Sequence, residues 1–579
     1  MSSTDSRPGP STEAKPRPRW LIGGGALFVG LLTLGVMVAT EPKLAIVWDE
    51  GFTLGREARI RLWLAALRDP AGFAAHWVPP SPRAELVQQD QRPLPPPRRD
   101  EIDTTGKLLG PRAMAYFWPF AREEPHGHPP FYAIVGLLGD AIAPSWEVLP
   151  RARIGPMVAF SLAGAALFGF AAGRWGLAAG ALAAGAWLLQ PNLFGHGHYA
   201  TLDGLLASLW VGAVLAFARA VEATGRWGRW SWTVGFGVLC GWAAATKLTG
   251  WFLPIPFVVW ALWDRNGRAA RILAVAGVVG LATLFLFNPC WWNHPVSGVE
   301  RFFRSNLTRA QTIPIPVEFL GWVYDTPRES LPWYNTVAWT VLVTPVGFLA
   351  LALLGAGLGA VTFARRWWPR RDEGGPVAID AIGVLALMHW GFLLLLRAMP
   401  HTPGHDGVRL FLPAFGMLAL VAAWGAAAVA RWSPRGGRAV VGLALAEGVA
   451  SVALLMPTPL AYFSPLVGGP PGAARLGMEP TYFWDGLSDE AIAFLNANTP
   501  PGRSVQFATF PTSWLYLQQT GKLRVPFSSP LEPRRAAFYV VQNRPGALSP
   551  ADRDLIARGR PAFQVSKFGV PLILIYPLP

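Results

Sequence analysis

Long apolar runs with few charged residues recur along the chain up to residue 456, and they constrain its fold more than any other feature. A helix needs roughly 20 apolar residues to cross a bilayer, and on that basis we predict about eleven transmembrane helices. The predicted spans are residues 21–40, 151–172, 175–194, 204–218, 232–246, 250–263, 272–288, 335–363, 379–396, 410–430 and 439–456.

The composition also indicates a membrane protein. Of the 579 residues, 52% are hydrophobic and 15% are charged, whereas soluble domains carry roughly a quarter charged residues. The net charge of +15 would favour nucleic acid as the partner of a soluble chain, but most arginines here fall in short gaps between apolar runs. In such gaps they report membrane orientation, so we expect the lipid bilayer and no nucleic acid as partner. Cys240 and Cys290 have no CxxC or zinc spacing, so neither a disulfide framework nor a cysteine metal site is predicted.

The arginine-rich gaps alternate along the chain, as the positive-inside rule requires of a multi-pass protein. Their arginines are Arg174; Arg219, Arg226 and Arg229; Arg265, Arg268 and Arg271; Arg365, Arg366, Arg370 and Arg371; and Arg431, Arg435 and Arg438. If these gaps are cytoplasmic, so is the N-terminus. Residues 41–150, 196–203, 291–333 and 399–409 then lie together on the opposite face of a cell membrane.

Three regions follow from these patterns. Residues 1–20 are rich in Pro, Ser and Arg and are predicted to be a disordered cytoplasmic tail. Residues 21–457 form the transmembrane module, and residues 458–579 are predicted to be a small extracytoplasmic α/β domain. In that domain we predict helices at 489–498 and 550–558 and strands at 504–509, 537–542 and 572–576.

The first outer loop, residues 41–150, is far longer than an ordinary connection, which usually indicates function. Within it, residues 52–68 place Leu, Ile and Trp among arginines at helical spacing. This pattern predicts an amphipathic helix lying in the membrane interface. A short apolar piece ending near Ala143 is too short to span the bilayer.

Two adjacent carboxylates, Asp49 and Glu50, stand just past the first predicted span. Ionisable groups at such a boundary often serve a reaction or a pathway, and a pair of solvated loop acids is the other interpretation. Asp203 opens a later span on the same predicted face. Lys247 ends a span there, where it either binds a lipid phosphate or extends to the headgroups.

Histidines gather on the predicted outer face. His126 and His128 precede a double proline, and His196 and His198 precede Asp203. Imidazole is a common metal ligand, so two HxH pairs near carboxylates are compatible with a divalent metal such as zinc. Hydrogen-bonded structural histidines are the alternative, and no tight ligand spacing decides between the two. No cofactor is therefore assigned with certainty.

Several short motifs occur in a fixed order along the chain. They are Asp49-Glu50, a long first loop ending in His128-Pro129-Pro130-Phe131-Tyr132, Arg151 and Arg153 at the start of the second span, Asp203 at the start of the fourth, and Thr246-Lys247-Leu248-Thr249. Together they resemble the GT-C glycosyltransferases of the protein O-mannosyltransferase and aminoarabinose transferase kind, including their bacterial dolichyl-phosphate-mannose-protein mannosyltransferase-like members. The resemblance covers residues 21–295 and continues weakly through 409–413 and 462–474.

This resemblance implies a GT-C-like fold, a sugar donor carried on a polyprenyl phosphate, and transfer on the extracytoplasmic side. It implies Asp49 as the catalytic base, Glu50 as its supporting neighbour and Asp203 as a second acid. The residues expected to bind the donor phosphate are Lys247, Arg153 and Arg409, and those expected to bind substrate are His128, His198, Tyr199 and His405.

Two departures from the family pattern limit what it implies. Aminoarabinose transferases follow the acid pair with an arginine and a tyrosine, whereas Gly51 and Phe52 stand here. That difference argues against aminoarabinose as the sugar. The sugar-binding module inserted in eukaryotic mannosyltransferases has no counterpart, so a protein, a lipid and a glycan all stay open as acceptors.

A mechanism follows from the chemistry of such a donor. The leaving group is already a phosphate anion, so its departure requires a cation more than a general acid. One positioned carboxylate suffices to take the proton of the acceptor. Because no dedicated nucleophile is evident, we expect a single displacement with inversion. Two other functions stay open: a transporter or flippase of lipid-linked sugars, and a non-catalytic scaffold whose outer domain binds a partner.

Overall fold

The computed structural model describes residues 18–79, 95–121, 127–312, 315–325, 329–367, 380–402, 404, 406–528 and 535–579. Its first helix, α1 (Arg19–Thr40), is long and apolar and lies at the edge of the bundle, where few of its side chains are buried. The short helices of the long first loop follow it. They are α2 (Trp48–Arg68), α3 (Pro70–His76), α4 (Thr105–Leu108), α5 (Pro111–Phe117), α6 (Phe131–Gly136) and α7 (Leu138–Ile142).

The helix predicted at residues 52–68 is present as α2, which begins four residues earlier. Its polar face differs from the expectation for an interfacial helix, because Arg56, Glu57 and Arg59 are buried. Arg56 donates a hydrogen bond to the Tyr132 hydroxyl, and Arg59 donates one to the Tyr116 carbonyl at 3.1 Å. The loop therefore folds over α2 and covers its charged side chains.

The remaining helices of the transmembrane module follow in chain order. They are α8 (Val148–Trp175), α9 (Leu177–Leu188), α10 (Pro191–His198), α11 (Leu202–Glu222), α12 (Arg226–Ala244), α13 (Pro254–Trp263), α14 (Gly267–Leu286), α15 (Pro295–Thr312), α16 (Asn335–Val343), α17 (Val346–Trp367), α18 (Ala381–Ala398), α19 (Pro413–Trp432) and α20 (Pro434–Leu455). A two-stranded antiparallel hairpin, β1 (Val317–Phe319) and β2 (Trp322–Tyr324), lies between α15 and α16.

In the described part of the chain, eight helices are long and apolar enough to cross a membrane, or nine if the bent pair α9 and α10 counts as one span. The prediction of about eleven was higher because two predicted spans fall short on length and composition. Residues 232–246 lie in α12, which begins with arginines, and residues 250–263 lie in a shorter apolar helix, Leu248–Trp263. The predicted span at residues 335–363 is divided into α16 and α17 at Pro345.

The centre of the bundle consists of α11 and α19, which are the most deeply buried of the candidate spans. Small residues allow neighbouring backbones to approach closely there. A Cβ atom on Gly425 of α19 would lie 2.1 Å from the Leu351 carbonyl oxygen of α17. Close approach through small residues is a common way to pack helices in a bilayer.

Beyond α20 the chain forms α21 (Gly469–Arg475) and then a mixed sheet with three helices. These elements are α22 (Asp489–Asn498), β3 (Ser504–Phe507), α23 (Trp514–Gln519), β4 (Ala536–Gln542), α24 (Pro550–Arg558), β5 (Phe563–Lys567) and β6 (Val570–Pro577). The strand order is β3-β4-β6-β5, with β3 and β4 parallel and the other neighbours antiparallel.

The predicted helical, multi-pass membrane fold with a small C-terminal α/β region is confirmed. Both predicted helices of that region have the observed bounds, and the three predicted strands are β3, β4 and β6. Three elements were missed, the helices α21 and α23 and the strand β5. The exact division into domains stays a prediction.

One face of the C-terminal sheet packs against the transmembrane module rather than standing apart from it. Val505, Val540 and Ile573 of the sheet share a hydrophobic cluster with Leu54 of α2 and Ala152 of α8. The N-terminal end of α2, with its two acids, therefore lies at the contact between the two regions.

Candidate active site

Asp49 lies in the first turn of α2, and the C-terminal region holds that turn in place. The Trp48 amide donates a hydrogen bond to the Phe483 carbonyl at 3.0 Å, and the Trp48 ring stacks on Trp484. The Thr512 hydroxyl donates a hydrogen bond to the Trp48 carbonyl. The backbone immediately before Asp49 is thus fixed on both sides by residues more than 430 positions away.

A chain of ion pairs connects Asp49 to three other segments. Nη2 of Arg409 donates a hydrogen bond to Oδ2 of Asp49 at 2.9 Å, and Nε of Arg409 lies 3.4 Å from Oδ2 of Asp203. Nζ of Lys247 lies 2.5 Å from the other Asp203 oxygen, Oδ1. Nη1 of Arg409 donates to Asp406 at 3.2 Å. Segments predicted to share one membrane face therefore do meet at one end of the bundle.

The C-terminal region extends this chain through Arg544. Nη2 of Arg544 lies 2.5 Å from Oδ1 of Asp406, and Nε lies 3.4 Å from Oε2 of Glu479. Nη2 also donates to the Pro316 carbonyl at 3.2 Å, next to the β1–β2 hairpin. Asp406 therefore forms ion pairs both with Arg409 and with Arg544 of the C-terminal region.

Asp49 opens onto a small cavity of about 40 Å³. Its lining residues are Asp49, Phe52, Thr53, Arg56, His128, Tyr132, Thr201, Leu202, Arg309 and Arg409. Three of them are arginines and one is a carboxylate, so the lining carries two positive charges in excess. Guanidinium groups suit the geometry of phosphate oxygens, so this lining favours an anion.

The environment of Asp49 suits a proton acceptor. Burial raises the pKa of the Asp49 carboxyl above its usual range, although the Arg409 guanidinium lowers it and Asp203 and Asp406 raise it. Its side chain is still 20% exposed, whereas that of Glu50 is fully buried. Oδ1 of Asp49 accepts no hydrogen bond from any residue that the structure describes. A carboxylate with a raised pKa that borders the cavity suits the role of a general base.

Glu50 and Arg153 form a buried framework beside the cavity. Glu50 accepts two hydrogen bonds from Arg153 at 2.7 Å, and it also accepts the amides of Val47 and Ala200. Arg153 donates its remaining hydrogen bonds to Glu41, Leu44 and Ala45. An arginine has five N–H donors, and all five are used here. In this structure Arg153 therefore has no N–H left for a phosphate, and Glu50 is fully buried. The phosphate-binding role of Arg153 and the catalytic role of Glu50 stay predictions.

Two of the predicted substrate-binding residues also lie away from the cavity. Both nitrogens of His198 have partners: Nδ1 lies 2.7 Å from the Phe194 carbonyl oxygen and Nε2 lies 2.9 Å from the Thr40 hydroxyl. Tyr199 is buried with its ring against the Arg153 guanidinium. These contacts join α10 to α1 and α8, so the structure assigns both residues to the framework.

The other predicted site residues fall into three groups. Asp49, His128 and Arg409 line the cavity. Asp203 lies one contact behind it, where it pairs with Arg409, and Lys247 lies one contact further back, where it pairs with Asp203. His405 lies outside the described residues, as does His126.

The possible metal site receives no geometric support from the part of the chain that the structure describes. No group of three or more His, Cys, Asp or Glu side chains there is arranged to hold a metal ion. His196 lies 3.2 Å from the Tyr482 hydroxyl and packs against Phe483 instead. The acids around Asp49 are paired with arginines and a lysine.

The sequence analysis missed Arg56, Arg309 and Arg544. Arg56 carried a usable signal, because residues 49, 52, 53 and 56 are spaced to share one face of a helix, and all four line the cavity. No sequence pattern pointed to Arg309 or Arg544, because neither residue lies near Asp49 in the chain. Their positions depend on how α15 and the C-terminal region fold back onto the bundle.

Residues 127–292 match the model of the family described as dolichyl-phosphate-mannose-protein mannosyltransferase. No sequence among the curated proteins matches the chain. Over these residues the family match agrees with the resemblance seen in the motifs.

The solved structures to which the chain is similar include two of ArnT from Cupriavidus metallidurans. The apo form is 15% identical, with 95% of this chain and 98% of that chain covered and a TM-score of 0.48. The form bound to undecaprenyl phosphate is 16% identical, with the same coverage and a TM-score of 0.47. The archaeal oligosaccharyltransferase AglB from Archaeoglobus fulgidus is 11% identical, with 90% and 70% covered and a TM-score of 0.46.

Proposed function

Since residues 127–292 match the dolichyl-phosphate-mannose-protein mannosyltransferase family, we propose that this protein is a membrane glycosyltransferase that moves a hexose or pentose from a polyprenyl phosphate to an extracytoplasmic acceptor. The acceptor is a protein, lipid or glycan hydroxyl or amine. One observation carries the proposal: a carboxylate with a raised pKa lies in a cavity that otherwise presents three arginines.

In the proposed reaction Asp49 is the general base. The acceptor oxygen or nitrogen attacks the anomeric carbon of the donor, and its proton passes to the Asp49 carboxylate. The bond between that carbon and the phosphate oxygen breaks, and the electron pair leaves with the polyprenyl phosphate. A single displacement of this kind inverts the anomeric configuration.

The leaving phosphate needs positive charge more than a proton. Arg56, Arg309 and Arg409 line the same cavity as Asp49 and are proposed to supply that charge. Arg409 also contacts Asp49 directly, so it links the base to the leaving-group site. Asp203 then acts by positioning Arg409, and Lys247 acts by positioning Asp203.

The cavity measures about 40 Å³, which holds only a few water molecules at roughly 10–15 Å³ each, so it is smaller than a sugar. Donor binding must therefore move some of the lining residues. One of these lining residues is Arg309 of α15, a helix outside the central pair α11 and α19.

The test compares cells that lack this chain with cells that express the wild type, Asp49→Asn or Asp100→Asn. Asp100 is an exposed acid of the same loop and serves as the matched control. Mass spectrometry should show one lipid-linked sugar accumulating in the deletion and in Asp49→Asn, but not in the control. In detergent, purified Asp49→Asn should keep its thermal stability and lose about 10²–10⁴-fold in donor turnover.

The detergent assay also separates a transferase from a flippase. A transferase consumes its donor in micelles, whereas a flippase has no second leaflet to deliver it to. Turnover of Asp49→Asn at the wild-type rate would remove Asp49 from the mechanism. The absence of any donor consumption by wild-type protein in micelles, with acceptor extract present, would favour transport.

A further inference from the structure

Four arginines converge at the end of the bundle opposite the catalytic cavity. Arg226 and Arg229 of α12 and Arg268 and Arg271 of α14 line a cavity of about 170 Å³ between the two helices. The other residues of its lining are uncharged, and Trp230 is among them. None of these four arginines forms an ion pair with a described carboxylate. The cavity therefore concentrates positive charge that no carboxylate among the described residues pairs with.

The bonds that these arginines do make leave donor capacity unused. Arg229 donates through Nη2 to the Ala223 and Thr224 carbonyls, and its Nε is buried without a hydrogen-bond partner among the described residues. Arg268 donates only through Nη1, to the Val221 carbonyl at 3.1 Å. A buried donor without a partner is costly, so an acceptor from outside the chain would stabilise Arg229, whose Nε is that donor. Arg226, Arg268 and Arg271 are exposed, so their guanidinium groups are accessible to the same acceptor.

The backbone adds to the positive potential at the same place. Both α12 and α14 begin at this end, at Arg226 and Gly267, so the positive ends of their dipoles point the same way. The N-terminal end of α12 has no side-chain cap, because Gly225 precedes it. The N-terminal end of α14 is capped by Asn266, which accepts the amides of Arg268 and Ala269, so the uncapped end of α12 is the one that can bind a phosphate beside the arginines.

An apolar groove continues from the basic cavity along the same two helices. It measures about 210 Å³, and its lining contains no charged residue. The lining begins at Phe236 on α12 and Leu273 on α14, within three residues of the last lining residues of the basic cavity on α12. Gly277 and Gly280 of α14 leave room in the groove.

We propose that α12 and α14 hold one anionic phospholipid, with its phosphate among Arg226, Arg229, Arg268 and Arg271 and one acyl chain in the apolar groove. The shape and charge of the two cavities match the two parts of such a lipid. Basic pockets between membrane helices are a known way of recognising lipid headgroups.

This site is distinct from the proposed donor site. The 19 residues of α12 separate the arginine cavity from the Lys247 end of the bundle, a distance of about 28 Å at 1.5 Å per residue. It does not depend on the transferase assignment either, since it requires only that the protein spans a membrane.

The test uses the full chain in detergent, with phosphatidylglycerol and phosphatidylcholine as probes in native mass spectrometry. The wild type should retain phosphatidylglycerol in preference to phosphatidylcholine. A triple variant, Arg229→Gln, Arg268→Gln and Arg271→Gln, should lose about 10-fold or more in phosphatidylglycerol binding. The matched control is Arg431→Gln, Arg435→Gln and Arg438→Gln, which removes three exposed arginines predicted to lie on the same face and should bind like the wild type.

A second variant tests the acyl chain without removing charge. A Cβ on Gly277 would meet nothing within 4 Å, so Gly277→Phe can fill the groove without disturbing the helices. It should weaken phosphatidylglycerol binding while leaving thermal stability unchanged. Equal binding of both lipids by the wild type, or wild-type binding by the arginine triple variant, would overturn the proposal. Full displacement of phosphatidylglycerol by millimolar inorganic phosphate, with no effect of Gly277→Phe, would show a free-phosphate site instead.

Discussion

Adjacent residues of the acidic pair have different surroundings. Glu50 receives two hydrogen bonds from Arg153 and two from backbone amides, so its charge is neutralised inside the fold. Asp49 makes one hydrogen bond to Arg409 and borders the cavity. Successive side chains on a helix point about 100° apart, which lets one acid serve the framework and its neighbour serve the chemistry.

Removing Arg153 tests this division. Arg153→Gln leaves Glu50 buried without its ion pair, and we expect a loss of about 3–5 kcal/mol of stability, because breaking one side of a buried pair strands the other charge. Thermal unfolding of the purified protein measures this loss of stability. Arg151→Gln, at a partly exposed ion pair with Asp140, is the control and should change little. Equal stability of the two variants would contradict the framework role.

The pH dependence of turnover tests the contact between Arg409 and Asp49. Burial raises the pKa of Asp49, whereas the Arg409 charge lowers it. The base works only when deprotonated, so turnover should fall as the pH drops through this raised pKa. Arg409→Gln removes the lowering charge and should move the acid limb to higher pH. A pH–rate profile measures the shift, and Arg301→Gln, at an exposed arginine of α15, should leave the limb where it is. An acid limb unmoved by Arg409→Gln would mean that Asp49 is not the titrating base.

At the scale of elements, the N-terminal turn of α2 docks against the C-terminal region with no space to spare. A Cβ on Gly51 would lie 2.4 Å from the Thr512 carbonyl oxygen and 2.9 Å from the Ser513 amide nitrogen. Those atoms are backbone, so they cannot move aside cheaply. This contact gives a physical reason for glycine at the position where aminoarabinose transferases have arginine.

Gly51→Ala should therefore displace α2 from the C-terminal region and shift Asp49 relative to Arg409. We expect a cost of about 1–3 kcal/mol, typical of an overpacked contact, together with a loss of turnover. Gly106→Ala is the control, because a Cβ there meets nothing within 4 Å. Melting temperature and donor turnover are the measurements. If Gly51→Ala matched the control in both, the docking of this turn would not matter for catalysis.

At the scale of the whole molecule, the arginine pattern predicts that the C-terminal region and the Lys247 end of the bundle face away from the cytoplasm. Cysteine labelling tests it after Cys240 and Cys290 are replaced by alanine. An impermeant maleimide on sealed cells should label Ala497→Cys, an exposed position of α22. It should label Gly228→Cys, at the start of α12, only after the membrane is opened. Labelling of Gly228→Cys in sealed cells would reverse the topology.

The multi-pass helical architecture could be predicted from the sequence because a bilayer turns a local property, apolar length, into a structural element. The helices at 489–498 and 550–558 were predicted with their observed bounds because helix boundaries and caps are also encoded locally, as in the Ser549–Asp552 capping box. The spans at 232–246 and 335–363 were less accurate. There, arginines at the start of α12 and a proline within the predicted span changed the length or continuity of the helix.

The sequence by itself placed the acids, the lysine and Arg409 at one end of the bundle, because hydropathy and arginine position determine where each segment meets the membrane surface. Only the tertiary structure decided which charge pairs with which. Glu50 meets Arg153 across 103 residues and Asp49 meets Arg409 across 360. Whether a carboxylate belongs to the framework or to the cavity depends on which distant donors reach it and how much water they exclude. Both follow from the packing of the whole chain.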